Sequence, residues 1–455
     1  MSGLSLILET ARRALQAQQT GLGVTSHNIA NATTPGYSRQ VAGFVPTQPL
    51  PEPYGLLGTG VTVASVTRMR DQFVDAQMRD VSQSQSSASM ENQILSQVQS
   101  SFNEPSDTAL SGSLSQFFNS WQDLSVNPED SSSRNAVLQR ADQLAASFHT
   151  LNGDLTQLRS SLADDAAAKV TTINTLTSQL SKLDLQITAA HASGQDANDA
   201  MDQRDQKLQE LSGLINISVS FDTRGSMTVS SGGSVIASGA GSLQLTSAVA
   251  GNSIVINTSL GGPNMNVTGG ELGGVLNMYN TAIPGIFTQL DQAAGALITR
   301  VNQLHAAGSG LGTPPPTGTA FFTGTGAADI NLNPALQANP NLIAASSDGT
   351  PGDNTNALAI AGVQKENLLN GNSVTIGQFY NGVVSSLGTA VNSSGDTSDQ
   401  QQAVLTGLQN QQSSVAGVSL DEEMTNMITY QKGYDAAAKL ITTVNAMFDT
   451  LIQMV

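Results

Sequence analysis

Residues 4–30, LSLILETARRALQAQQTGLGVTSHNIA, set Leu4, Leu8, Ala11, Leu15, Gln18, Leu22, Thr25 and Ile29 at alternating spacings of four and three. That spacing draws one stripe along an α-helix in the heptad manner, with two polar positions in the seam. The predicted helix is about 40 Å long at 1.5 Å per residue. Asn31 and then Thr34-Pro35-Gly36 stop it with a turn.

The far end of the chain carries a matching pattern. Ser419-Leu420-Asp421-Glu422 reads as a capping box, with Glu422 three residues after the serine and acids in the positively polarised first turn. Downstream, Tyr434, Ala437, Ile441, Val444, Phe448 and Leu451 alternate at three and four, which predicts a helix of about 50 Å. Neither helix can bury its stripe alone. Either the two pair within one chain, or they order fully only against neighbouring subunits.

Between the ends, a longer stripe runs from Val137 through Leu144, Leu155 and Leu180 to Ala190, with only Lys169 out of register. It predicts a helix of about 80 Å, with Gly153 as a candidate bend. Shorter helical segments precede it around Leu114, Phe117, Phe118 and Trp121. After it, Asp196, Asp199, Asp202 and Asp205 fall at intervals of three. Such carboxylates can in principle hold Ca²⁺ or supply an acid and base, but the spacing fits no EF-hand loop; acids at a helix start are the favoured reading.

From Gly225 to Gly270 no residue is charged, and short runs such as Met227-Thr228-Val229, Ile254-Val255-Ile256 and Met265-Asn266-Val267 recur between turn residues. This predicts a small β-rich insert, in the form of a sandwich or barrel. Helical patterning resumes from Leu272 to Leu304. Gly308 to Gly326 reads as a loop, 354–370 as a helix and 392–402 as a polar hinge.

Composition narrows the chemistry. Across 455 residues, 18 Lys and Arg stand against 35 Asp and Glu for a net charge of −17, so a nucleic-acid partner is disfavoured. With 0 Cys there are no disulfides, thiolate metal sites or Cys nucleophiles, and the 4 His are scattered without metal-ligand spacing. No P-loop or nucleophile elbow occurs, no cofactor is expected, and His305 reads as a packing residue. The N-terminus lacks the charged and apolar regions of a cleaved signal, and no stretch approaches the ~18 apolar residues that would insert in a membrane.

The segment from Ser26 to Arg39, with Asn28, Asn31, Pro35, Gly36, Tyr37 and Arg39, closely resembles the N-terminal motif of the bacterial flagellar axial proteins: rod, hook and hook-associated. Ser419 to Met424, with Tyr430, Gln431 and Tyr434, resembles the partner motif at the other end of those proteins. Interior pieces, among them Leu57 to Val61, Arg68 with Asp71, Glu104-Pro105-Ser106, Asn127-Pro128 with Arg134, Asn198 to Asp205 and Asn302 with His305, resemble a hook-associated member over nearly the whole chain. Gly312 to Pro316 departs from the family pattern.

The resemblance implies a mainly α, discontinuous multidomain chain with a β-rich insert. Residues 1–72 and 400–455 would form a coiled-coil-like inner domain, 73–214 and 271–399 a helical middle domain, and 215–270 a small β domain. It implies a non-enzymatic adapter joining hook to filament, exported by the flagellar type III apparatus. Its partners would be identical copies, the hook protein, the next hook-filament junction protein and an export chaperone on the C-terminal helix. Leu4, Leu8, Leu15, Leu22 and Ile29, with Tyr434, Ile441, Val444, Phe448 and Leu451, are the expected subunit contacts, and Arg39 either reaches an acid on a neighbour or belongs to a simple loop. Other readings are a distal rod or hook protein, or an adhesin whose insert binds carbohydrate.

Overall fold

The computed structural model describes residues 2–52, 55–106 and 109–454. The chain opens with α1 (Ser2–Ala30), followed by the antiparallel pair β1 (Gln40–Pro46) and β4 (Val61–Arg68). Between these two strands lies a short hairpin, β2 (Leu50–Glu52) with β3 (Gly55–Leu57). Helices α2 (Gln72–Phe102), α3 (Leu110–Val126), α4 (Ser131–Ala192) and α5 (Asn198–Leu214) come next. Asp71 caps α2 by accepting from the Phe73 and Val74 amides, and Asp130 caps α4 by accepting from Ser133 N–H.

At 62 residues α4 is the spine of the molecule, about 90 Å long. It runs unbroken through Gly153, because Leu151 and Leu155 on either side are buried in the core and hold the helix in line. Val137, Leu144, Phe148, Leu155, Ile173 and Leu180 are fully buried along its stripe. Lys169, the residue out of register, pairs with Glu271 on a neighbouring helix.

The β-rich insert is open, contrary to the expected sandwich or barrel. Strands β5 (Ser218–Phe221), β6 (Met227–Ser231), β7 (Ser234–Ser238) and β8 (Gly241–Ser242) form one antiparallel sheet in that order. A separate hairpin joins β9 (Leu245–Ala250) to β10 (Ser253–Thr258). A helix takes the place of a second sheet. Met227, Val229, Ile236, Leu245, Ile254 and Ile256 join the core of α4, and Asn174 on α4 bonds both backbone groups of Leu245. Met265 to Val267 forms no strand, though the Met265 amide donates to the Ile256 carbonyl.

The second half returns along the first. Helix α6 (Gly270–Asn277) passes through a π turn into α7 (Ile283–Ala307), and the following loops hold β11 (Phe322–Thr323), β12 (Asn331–Leu332) and α8 (Pro334–Ala338). Phe117, Trp121, Phe321, Phe322 and His305 form an aromatic group at this end of the core. Helix α9 (Thr355–Gly362) is shorter than the expected 354–370 segment, ending in a single 3-10 turn over Val363–Lys365 before Asn370 and Asn372 adopt left-handed backbone.

The expected hinge over 392–402 is absent. Those polar residues lie inside α10 (Ile376–Ala416), so a boundary at 399/400 would fall within a continuous helix. Packing explains this: α10 lies antiparallel on α2, Asn92 donates to the Val391 carbonyl, and Val74, Met78 and Leu405 form a small apolar cluster. The chain breaks instead at Gly417 to Ser419, ahead of α11 (Leu420–Gln453). Ser419 occupies the cap position without a side-chain cap bond, so the capping box does not form; Glu422 is taken by Arg39.

Candidate functional site

The two ends of the chain pack against each other as α1 and α11. Small residues make the approach close. A methyl on Gly21 would stand 3.0 Å from the Tyr430 ring, and one on Gly433 would stand 2.8 Å from the Gln18 side chain. Ala11, Ala17 and Thr25 are buried on one helix, with Ala437 and Val444 on the other. The intramolecular pairing left open by the stripes is therefore present within one chain. The larger seam residues flank this line: Leu4, Leu8, Leu15, Leu22, Ile29, Tyr434, Ile441 and Phe448 are half-buried. Ile7, Leu440, Met447, Leu451 and Ile452 are exposed, Leu451 to 45%.

Where α1 ends, its side chains tie a polar knot. Asn28, 1% exposed, donates through Nδ2 to the Gln40 carbonyl at 2.9 Å and to Glu423 Oε2 at 3.0 Å. Its Oδ1 accepts from the Gln40 amide at 2.9 Å and from the Tyr37 hydroxyl at 2.7 Å. Burial, and the charges of Asp199, Asp202 and Glu423, raise the Tyr37 pKa well above the usual phenol range. Tyr37 therefore stays a donor, and its oxygen is left to accept from His27 Nδ1 at 3.0 Å. Asn31 closes the helix by donating to the His27 carbonyl. Exposed Pro35 and Gly36 turn the chain, Gly36 with a φ of 80° that a side chain rarely adopts.

Arg39 finds its acids inside the chain rather than on a neighbour. Its Nε donates to Glu423 at 2.7 Å and its terminal nitrogen to Glu422 at 2.8 Å, because the first turn of α11 lies beside the loop. Partial burial opposes the Arg39 charge, but the hydrogen bonds to Glu423 and Glu422 outweigh it and raise the pKa.

The aspartates at intervals of three complete the knot. Only Asp199 lies in the first turn of α5; Asp202 and Asp205 answer cations, and Asp196 stays exposed ahead of the helix. Asp202 accepts from the Ser38 amide at 2.9 Å, the Ser38 hydroxyl at 2.7 Å and Arg68 at 2.7 Å. Asp205 accepts from Arg68 at 2.9 Å, and Asp199 from Gln40 Nε2 at 2.9 Å. Arg70 donates to Asp75, which also accepts from Gln412 on α10. Asp75, Asp202 and Asp205 are all under a tenth exposed. Sequence reading treated this ladder as a helix start and so missed its role. The signal was the spacing itself: like charges three apart on one helix face repel unless cations meet them, although the sequence does not say that the cations are Arg68 and Arg70, far earlier in the chain.

Chemically, the arrangement fastens. Each buried carboxylate is held by guanidinium, amide or hydroxyl donors that link α1, the β1–β4 pair, α2, α5, α10 and α11. Among the described residues, no group of three His, Cys, Asp or Glu is placed to hold a metal ion, and no helix is long and apolar enough to cross a membrane. His305 packs at the other end of the core. Its Nδ1 donates to the Thr319 carbonyl and its Nε2 accepts from the Ala344 amide, while burial pushes its pKa down to about 4.

With this geometry in place, comparison with known proteins is specific. Residues 95–322 match the family described as flagellar hook-associated protein FlgK helical domain. Residues 8–37 match flagella basal body rod protein, and 409–454 match flagellar basal body rod FlgEFG protein C-terminal. The chain is 30% identical to flagellar hook-associated protein 1 of Bacillus subtilis strain 168, over 99% of this chain and 98% of that one. It is 25% identical to flagellar hook-associated protein 1 of Escherichia coli K12, over 99% of this chain and 100% of that one. The fold is similar to that of the flagellar hook junction protein FlgK from Burkholderia pseudomallei, with a TM-score of 0.65 and 18% identity over 75% of this chain and 100% of that one.

Proposed function

The chain belongs to the flagellar hook-associated protein 1 family, and from that premise we propose that it is a structural adapter at the hook-filament junction, required for filament growth and motility. It acts by binding, not by covalent chemistry. Identical copies assemble in a short helical layer that meets the hook protein on one side and the next hook-filament junction protein on the other.

The observation that carries this reading is the state of the paired ends. α1 and α11 are locked to each other and to the middle helices by the knot, yet they keep apolar side chains half-buried or open to solvent. Leu4, Leu8, Leu15, Leu22 and Ile29, with Tyr434, Ile441, Phe448 and Leu451, supply the contacts to neighbouring subunits, and Val444 supports them from inside the pair. Burying a Leu or Phe fully contributes about 1.5–3 kcal/mol, so contacts repeated around a layer suffice to hold it. Ahead of assembly the same apolar α11 is the segment an export chaperone would cover, and export proceeds through the flagellar apparatus. The ends form the inner domain, the helices around α4 the middle domain and the β strands an outer domain. The 62-residue α4 favours this reading over a distal rod or hook protein.

Deleting the gene, imaging the cells and assaying flagellin in the medium tests the proposal. Complete hooks without filaments, with flagellin released, support it; normal filaments refute it. The contacts are tested by Leu22→Asp with Phe448→Asp, which should abolish junctions while the middle domain stays folded; intact junctions would show that these residues are not the contacts.

A further inference from the structure

Beside the knot, where β4, α2, the end of α4, α5 and β5 meet, lies a cavity of about 230 Å³. Four guanidinium groups line it, those of Arg68, Arg70, Arg79 and Arg204. Two of them are matched: Arg68 by Asp202 and Asp205, Arg70 by Asp75.

Of the other two, one has no partner and one is only loosely matched. Among the described residues Arg79, half-buried on α2, has no hydrogen-bond or ion-pair partner; Asp205, Asp75 and Asp80 act on it only from longer range. Burial holds its pKa below the usual guanidinium value in spite of them. Arg204 is 3% exposed and lies over the Phe221 ring at 4.5 Å. One of its terminal nitrogens donates to the Gly225 carbonyl at 3.2 Å and stands 3.6 Å from Asp184; its Nε stands 3.8 Å from Asp205, too far for a hydrogen bond, and has no other hydrogen-bond partner. The carboxylates that also line the space are engaged or outside: Asp75 and Asp205 accept from arginines already named, and Asp196 is exposed.

We propose that this cavity binds a small oxyanion, a phosphate-class group or a carboxylate, held by Arg79 and Arg204. A desolvated guanidinium with unmet N–H donors is unfavourable, and its planar fork of N–H donors matches the paired oxygens of such an anion. The volume accommodates a free anion or the end of an acidic side chain from another chain. Occupancy fastens α2 to α5 and stiffens the joint between the paired ends and the middle helices.

Thermal unfolding of the full chain at constant pH and ionic strength tests this, with chloride exchanged for inorganic phosphate in one series and for N-acetyl-aspartate amide in another. The expected result is a saturable rise in Tm with at least one probe, half-complete on the order of 1 mM, a value set by a few charge-assisted hydrogen bonds. Arg79→Met keeps the aliphatic stem and removes the charge; it should abolish the rise while leaving Tm in chloride unchanged or higher. Arg12→Met, which removes an exposed guanidinium paired with Glu9, should keep the rise. Should Arg79→Met fail to fold, calorimetric titration of the unaltered chain decides, a one-to-one isotherm supporting the site and an absence of binding heat refuting it. A response to phosphate alone identifies a free anion, and a response to the amide identifies a side-chain carboxylate. No saturable rise with either probe, or an undiminished rise in Arg79→Met, would overturn the proposal.

Discussion

Replacing Asp202 by Asn tests whether the knot, rather than α1 and α11 pairing alone, fixes the chain ends to the middle helices. Asp202 is 6% exposed and accepts three hydrogen bonds, two from Ser38 and one from Arg68 at 2.7 Å. Removing one member of a buried pair typically costs about 3–5 kcal/mol; Arg68 keeps Asp205, so the lower end, about 3 kcal/mol, applies. The affected region is the joint, and the readout is therefore local amide hydrogen exchange. A loss of about 3 kcal/mol corresponds to exchange on the order of 100-fold faster through the β1–β4 pair and the start of α5. The segment of α4 around Leu144 and Leu155 should keep its protection, since the knot does not touch it. A change under about threefold in the β1–β4 pair of the folded variant would refute the role given to Asp202, being well under 1 kcal/mol. Equal loosening of α4 would show that Asp202 supports the whole fold instead of the joint.

Glu423→Ala should destabilise the α1 and α11 pair by about 2–3 kcal/mol, because Asn28 and Arg39 both lose a buried acceptor. Glu422→Ala, which removes a side chain 57% exposed, should cost under about 1 kcal/mol; urea midpoints followed by circular dichroism separate the two. His305 is neutral in the fold, with a pKa of about 4 against an ordinary value near 6.5, so protons favour the unfolded chain between those limits. Stability from this residue is complete above about pH 6.5 and declines by about 3 kcal/mol on acidification to pH 4; His305→Gln should remove that part of the slope in urea titrations at several pH values. Gly21→Ala should cost about 1–2 kcal/mol net, the push against the Tyr430 ring outweighing the helix preference for alanine. Gly433→Ala meets only the flexible Gln18 and should be near neutral in the same denaturation assay.

Local pattern carried the helices well. The stripes at 4–29, 137–190 and 434–451 each emerge as helix, because an apolar face at helical spacing has one economical way to be buried. It failed where tertiary packing overrode local preference. Asn392 to Gln402 looks like a hinge from its Ser, Asn and Gly content, yet α2 provides a surface along which a helix persists. The insert's strands alternate as a sandwich would, but nothing in their spacing reveals that α4 covers their inner face.

By itself the sequence determined the helical ends, the long spine, the position of the β insert, the turn at Pro35 and Gly36, and the flagellar family resemblance. All of these depend on residues within a few turns of one another, whose spacing is visible along the chain. The tertiary structure alone decided that Asn28 meets Glu423, that Arg39 finds acids in its own chain, and that Ser38 and Arg68 meet Asp202. These partners lie 395, 384, 164 and 134 residues apart. A charged side chain declares in sequence only that it needs a counterpart or solvent; which counterpart it meets depends on how the backbone elements between them pack.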